Sequence, residues 1–135
     1  EQVHANNHFL ALADQKGDHL VAAGAVFGHG DTADNLQGGI DGELFEVNEM
    51  YPVYMDAALF QDEPKAKLSF YYALEAEKTH AAFFQKAREA VLAGADPQLG
   101  PIQVCEVCGH TVEGDAPDRC PICNVGPDQF ATFSA

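Results

Sequence analysis

The sequence predicts a mainly α-helical chain that ends in a small β unit too short to fold without a staple. Three observations carry this. Three long segments repeat apolar residues at helical spacing, acidic and histidine residues interrupt those apolar stripes, and two Cys-x-x-Cys pairs stand near the end. A chain of 135 residues suits a helical domain and a smaller attached unit. We divide it into a helical part, 1–93, a linker, 94–102, and a cysteine-bearing part, 103–135.

The cysteine pairs are Cys105-Glu-Val-Cys108 and Cys120-Pro-Ile-Cys123. They can place four sulfurs around one metal ion. Each pair forms a tight turn whose backbone amides point back at the sulfurs and favour thiolate over thiol. Gly109 follows the first pair, where such a turn needs positive φ, and Asn124 holds the matching place after the second. Pro121 stiffens the second turn. Two disulfides are the alternative, but residues three apart in a metal knuckle rarely bridge each other, and nothing else in the chain looks secreted. A tetrathiolate site holding one metal ion is expected, and spacing does not separate iron from zinc.

Seven Lys+Arg against 21 Asp+Glu give a net charge of −14. That charge repels polyanions, so no nucleic-acid partner is expected. No apolar run reaches membrane length and no signal-like segment opens the chain, so no membrane partner is expected either. Thiols kept for metal point to a reducing, cytoplasmic setting. The first residue is not Met, and the start is read as a processing or trimming point.

Residues 1–16 read as a first helix with Glu1, His4, His8 and Leu12 on one side, stopped by Gly17-Asp18. The Gly-rich stretch from His19 to His29 is a long connection, and both histidines are read as ordinary loop residues. A second helix starts near Asp31-Thr32-Ala33-Asp34, where any of three residues can cap it, and runs to about Phe60. Its stripe is Leu36, Ile40, Val47, Met50, Tyr51 and Tyr54. Glu43 falls inside the stripe, Glu46 at its edge, and Glu49 on the solvated face. Pro52 lacks a donor, which predicts a kink or bulge just before it.

Asp62-Glu63-Pro64 opens a third helix that runs over 63–93 and stops at Gly94. Phe70, Glu77, Phe84 and Val91 are spaced by seven, with Ala73, His80 and Ala87 in the adjacent row. Glu75, Lys78, Gln85 and Glu89 face water. An acid and an imidazole on an apolar stripe cost several kcal/mol if left unpaired, so Glu77 and His80 need partners. In the last part, Gln103-Val104 leads into the first knuckle and Gln129 to Phe133 form a closing strand. Phe130 and Phe133 are expected to cover the thiolates.

Glu1-Gln-Val-His4 and Glu77-Lys-Thr-His80 are both Glu-x-x-His. On a helix, residues three apart share a face, so each pair presents a carboxylate and an imidazole to one point. Two such pairs plus one Glu from each of two more helices make the carboxylate-bridged di-iron centre of helical bundles. Glu43 is a candidate for one single Glu. Only three helices are counted, so the four-helix ligand set is incomplete in this chain.

The run Glu43-Leu-Phe-Glu46-Val-Asn-Glu49-Met-Tyr-Pro52, then Glu77-x-x-His80, then the Cys105–Cys123 unit, resembles rubrerythrin along essentially the whole chain. The resemblance implies a ferritin-like helical bundle carrying a di-iron centre, joined to a rubredoxin-like β domain with a four-cysteine metal site. By motif, Glu1 is similar to the helix-two ligand and His4 to the redox-switching histidine. Glu43 resembles the bridging ligand, and Glu46 the extra Glu that exchanges with that histidine. Glu77 and His80 resemble the last helix's pair, and Tyr51 the tyrosine near the cluster. His8 is outside the pattern. Family members carry a whole first helix and half of the second before this Glu-x-x-His. The bundle would therefore expose an apolar groove, to be completed by a separate N-terminal peptide or a neighbouring chain.

The activity implied is reduction of hydrogen peroxide to water, with Glu46, His4 and Tyr51 at the reacting centre. Electrons would come from a reductase or small carrier through iron on Cys105, Cys108, Cys120 and Cys123. A homo-oligomer is implied, a dimer with head-to-tail or swapped helices that pairs one chain's thiolate iron with another's di-iron site. Two other readings stay open: a plain electron carrier, and a zinc-bearing binding or structural module without a working di-iron site.

Overall fold

The structure, a computed structural model, describes residues 1–13, 15–22, 24 and 30–134. His29, read above as a loop residue, lies outside the described residues. Among those described, the helices are α1 (Gln2–Ala11), α2 (Thr32–Phe45), α3 (Tyr51–Phe60) and α4 (Pro64–Leu92). A three-stranded antiparallel sheet follows, β1 (Ile102–Cys105), β2 (Thr111–Glu113) and β3 (Phe130–Phe133), in the order β2-β1-β3.

Helix α4 is the spine, packed by α1, α2 and α3. Small side chains make this close approach workable: Ala73 and Ala76 are wholly buried, and Ser69 and Ala81 nearly so. The space those residues leave beside them is filled by Glu77, which has no exposed surface at all. Local signals set the helix ends. The Asp31 side chain accepts the Asp34 N–H at 2.9 Å and caps α2. Pro64 opens α4, where its missing donor costs nothing, and Gly94 at φ +76° closes it.

Between α2 and α3 the chain does not break. Residues Glu46–Met50 form a π-turn, and the Tyr51 N–H bonds the Glu46 carbonyl five residues back. Pro52 follows at once and supplies no donor, so the bulge sits where its ring predicts. The wider turn stacks Tyr51 over Glu46, and the Tyr51 ring ends up 4 % exposed.

Three expectations are corrected. Helix α1 ends at Ala11 rather than 16: Ala13 turns left-handed at φ +55°, and Leu10 and Leu12 stay half or more exposed. With so much of these side chains left in solvent, further helix is not repaid by burial. Tyr54 lies at the end of its stripe and is exposed. Phe133 does not cover the thiolates: it is 59 % exposed, whereas Phe130 packs on them. Residues three apart on a strand point to opposite faces, so one strand cannot aim both inward.

Asp31→Ala removes the α2 cap and is expected to cost about 1 kcal/mol of stability, read from denaturant unfolding.

Candidate metal centres

Two clusters of metal-ligating side chains stand out. In the first, Glu1, Glu43, Glu77 and His80 each offer an atom, all within 4.8 Å of one another. They come from the N-cap of α1, from α2 and from α4, so no single element builds the site. His4 closes it from α1, its Nδ1 2.8 Å from Glu77 Oε1 and 3.4 Å from Glu1. The His4 and His80 rings stack with centroids 5.8 Å apart. Glu46 stands outside the group of four but within electrostatic reach of Glu77 and Glu1.

This geometry is ill-suited to stand without cations. Burial leaves Glu77 with no water, and the 2.8 Å approach to His4 is not aligned as a hydrogen bond, so both facing atoms are unpartnered. His80 makes the same point more sharply. The Thr111 hydroxyl donates to the Gly109 carbonyl at 3.1 Å, so its oxygen is free to accept from His80 Nε2–H, also at 3.1 Å. A neutral His80 then turns the bare lone pair of Nδ1 toward Glu77 Oε2, 2.6 Å away. Two lone pairs at that distance repel unless a proton or a metal ion lies between them. The donor set, carboxylates with two imidazoles, suits iron.

The electrostatics show what protons do there in the absence of metal. Burial, then the neighbouring Glu77, pushes Glu43 up to about 8. Burial, with Glu77 and Glu1, lifts Glu46 to about 7. Burial works against charge on His4, but Glu1 and Glu77 outweigh it and raise the ring to about 9. For Glu77 burial is likewise overcome, here by His4 and His80, which hold its carboxyl well below the usual range.

The second cluster is Cys105, Cys108, Cys120 and Cys123. The thiols are free, with Cys105 and Cys123 sulfurs 3.6 Å apart and Cys108 and Cys120 sulfurs 3.5 Å apart. A disulfide needs about 2.05 Å, whereas a tetrahedron with metal–sulfur bonds of about 2.3 Å has edges of about 3.8 Å. The spacing is that of a tetrathiolate. Gly109 at φ +83° and Asn124 at φ +64° complete the two knuckles as their positions demand. Burial pushes the Cys108 thiol up. At Cys120 burial is outweighed by the N–H groups of Cys123 and Ile122.

The two clusters touch. Gly109, on the first knuckle, lies against the His4 ring so closely that a methyl group there would overlap it. The Asn7 amide donates to the Val107 carbonyl at 2.9 Å, and Tyr72 of α4 packs on the thiolate core. Lys86 pairs with Glu113 at 2.6 Å on the rim. The thiolate unit therefore docks on the carboxylate cluster of its own chain, a juxtaposition that the sequence reading assigned to two chains of a dimer.

All ten residues singled out as metal ligands fall in or beside the two clusters, and Tyr51 lies beside the first. Sequence reasoning missed Asn7, Thr111 and Gly109 as docking residues. Asn7 stands three residues after His4 and so shares its face, a signal that was available. Thr111 and the tight contact at Gly109 have no counterpart in local pattern. His110 was also passed over, and its buried ring leaves Nδ1 unpartnered.

A helical bundle with a carboxylate–histidine cluster, joined to a small tetrathiolate β unit, defines the class of non-haem iron redox proteins. Comparisons with known proteins make the assignment particular. The Rubrerythrin family model matches residues 1–88, and the model of its rubredoxin-like domain matches 103–131. The chain belongs to the rubrerythrin family. It is 47% identical to Rubrerythrin-2 of Clostridium acetobutylicum over 133 residues, 98% of this chain and 72% of that protein. It is 31% identical to nigerythrin of Nitratidesulfovibrio vulgaris over 73% of this chain and 48% of that one. The solved structure of fully reduced, all-ferrous nigerythrin superposes with a TM-score of 0.78 at 27% identity, covering 98% of this chain and 64% of that chain. The chain thus spans about two thirds of the nigerythrin structure it matches. Membership brings a di-iron site in the helical part, a rubredoxin-like iron site on the four cysteines, and iron-based oxidoreductase chemistry.

In the metal-free protein Glu43, Glu46 and His4 all favour the folded state when protonated. Their contribution is full below their unfolded values, 4.5 for the carboxyls and 6.5 for His4, and is lost as pH rises through the folded values of about 7 to about 9. The denaturation midpoint of metal-free protein is expected to fall from about pH 5 to about pH 9, and metal loading to flatten that slope. Gly109→Ala combines a strained φ with a clash on His4 and is expected to cost more than about 1 kcal/mol in the same assay.

Proposed function

We propose that this chain reduces hydrogen peroxide to water at a di-iron site held by Glu1, His4, Glu43, Glu46, Glu77 and His80. Cys105, Cys108, Cys120 and Cys123 would hold an iron able to relay electrons from a reductase or small electron carrier. The observation that carries the reading is Glu77. It is fully buried between two imidazoles, with His80 Nδ1 2.6 Å from one oxygen and His4 Nδ1 2.8 Å from the other, the latter pair not aligned as a hydrogen bond.

Iron bound there would supply the two electrons that the O–O bond takes up. The overall change is one peroxide, two protons and two electrons to two waters. The residues supply position and protons. Glu46, at about 7, can hold or release a proton near neutral pH. His4 on α1 and Glu46 on the π-turn approach the buried Glu77 from different elements, so each would be placed to hold iron beside Glu77 and His80. Burial and the nearby carboxylates keep the Tyr51 hydroxyl protonated at any ordinary pH, so it serves as a donor beside the site. Gly109 against His4, and Thr111 against His80, bring the thiolate unit into direct contact with the carboxylate cluster.

The proposal extends to organisation. Residues 1–93 and 103–135 act as two units on a linker, 94–102. Phe45, Val53, Leu59 and Phe60 are more than half exposed, an apolar surface that a second copy or an N-terminal segment would cover. A cytoplasmic setting is consistent with free thiols. Among the described residues no helix is long and apolar enough to cross a membrane.

Reduced, iron-loaded protein is expected to be reoxidised faster by peroxide than by dioxygen in stopped-flow absorbance; the reverse order would make it an oxidase. Glu77→Gln is expected to lower iron from about three to about one per chain while the red tetrathiolate absorption stays. A colourless protein holding zinc would instead favour the binding-module reading.

A further inference from the structure

His8 has no part in the di-iron motif, yet it is built into the structure on both ring nitrogens. Its Nδ1 lies 2.7 Å from Ser69 Oγ and its Nε2 3.3 Å from Tyr51 Oη. Phe70 and Tyr51 pack against the ring with centroids 5.3 and 6.0 Å away, which fixes its plane. One side of His8 lines an open cleft of about 980 Å³ between α1 and the start of α4. Ser69 lines a second cleft of about 180 Å³ on the other flank of α1. The groups around the imidazole are His4 and Glu1 from α1, Glu77, Ser69 and Lys65 from α4, Tyr51 from α3, and His19 and Glu63 across the cleft.

We propose that Ser69, His8 and Tyr51 form a proton-delivery chain running from the clefts beside α1 to the carboxylate site, with His8 as the group that passes the proton on. The inference rests on the peroxidase reading above. The direction of the chain follows from position, with Ser69 at the cleft, Tyr51 beside the carboxylates and His8 between them. With the Tyr51 hydroxyl hydrogen aimed at the neighbouring carboxylate site, the Tyr51 oxygen accepts from His8 Nε2–H, 3.3 Å away. Burial holds His8 below its ordinary value, so the ring is neutral and its other nitrogen, Nδ1, accepts from the Ser69 hydroxyl. Every donor in the chain then points toward the site.

In each transfer the Tyr51 O–H bond breaks as a product O–H bond forms on a peroxide oxygen. Tyr51 recovers a proton from His8 Nε2, His8 gains one at Nδ1 from Ser69, and Ser69 is reprotonated from cleft water. Between transfers His8 loses the Nδ1 proton and regains one at Nε2 by exchange with cleft water, which restores the starting tautomer. Two such transfers, with two electrons from the external reductant, turn one peroxide into two waters.

Two measurements test this. Nitrogen-15 NMR of the zinc-loaded protein is expected to show the His8 Nε2–H tautomer in the wild type and a mixture of tautomers in Tyr51→Phe. An Nδ1–H tautomer, or one indifferent to Tyr51→Phe, overturns the chain whatever the activity. His8→Gln keeps an N–H for Tyr51 but cannot pass a proton through. It is expected to slow peroxide reduction about a hundredfold at unchanged iron content and unchanged tetrathiolate spectrum. An unaffected rate, or a rate that falls only because iron is lost, overturns the relay. If the wild type itself does not reduce peroxide, the peroxidase reading fails and the relay with it; an active wild type with an equally active His8→Gln sinks the relay alone.

Discussion

A carboxylate with no exposed surface, held between two imidazoles, sets the terms for the rest of this molecule. Glu77 cannot be solvated, and burying its charge unpaired costs several kcal/mol. Each neighbouring element is placed in a way that answers that cost. Helix α1 brings His4 to 2.8 Å, α4 turns His80 back on its own Glu77 at 2.6 Å, and α2 adds Glu43. Protons satisfy this set only partly, since His4 Nδ1 and Glu77 Oε1 stand at hydrogen-bond distance without hydrogen-bond alignment. Cations shared among the same atoms satisfy it fully. Packing and chemistry are therefore one constraint here: the small residues Ala73 and Ala76 that let the helices approach also shut water out of the site.

The π-turn at Glu46–Met50 belongs to the same constraint. An unbroken α-helix would rotate Tyr51 away from Glu46, because five residues exceed one turn by well over a third of a turn. Widening the turn keeps both on the side that faces α4. Pro52 makes the wide form the natural one, as the donor an α-turn would use at that position is absent. A backbone irregularity thus places a proton donor beside the carboxylates, and α3 continues beyond it without loss of packing.

The docked tetrathiolate unit reaches the carboxylate cluster through a backbone that lacks a side chain where it matters. Gly109 serves its own knuckle by taking positive φ and serves the helical part by leaving room for His4. Thr111, two residues on, meets His80 Nε2 at 3.1 Å from the same loop. One short segment of the β unit therefore both holds a thiolate ligand in place and orients the two imidazoles of the other cluster. Any movement of one unit against the other would be felt at both.

The residues that hold metal were legible in the chain itself, because their spacing is local. Cys-x-x-Cys makes a knuckle, and Glu-x-x-His makes one helical face, wherever the rest of the fold lies. The bulge before Pro52 and the cap at Asp31 were legible for the same reason. The early end of α1, the outward turn of Phe133 and the roles of Asn7, Thr111 and His8 were not. Each depends on what packs against the residue from elsewhere in the chain: Val107 for Asn7, His80 for Thr111, and Ser69 with Tyr51 for His8. Spacing along a chain determines which ligand atoms can converge. Only the tertiary structure decides which polar neighbours surround them, because hydrogen-bond direction and burial come from contacts between segments far apart in sequence.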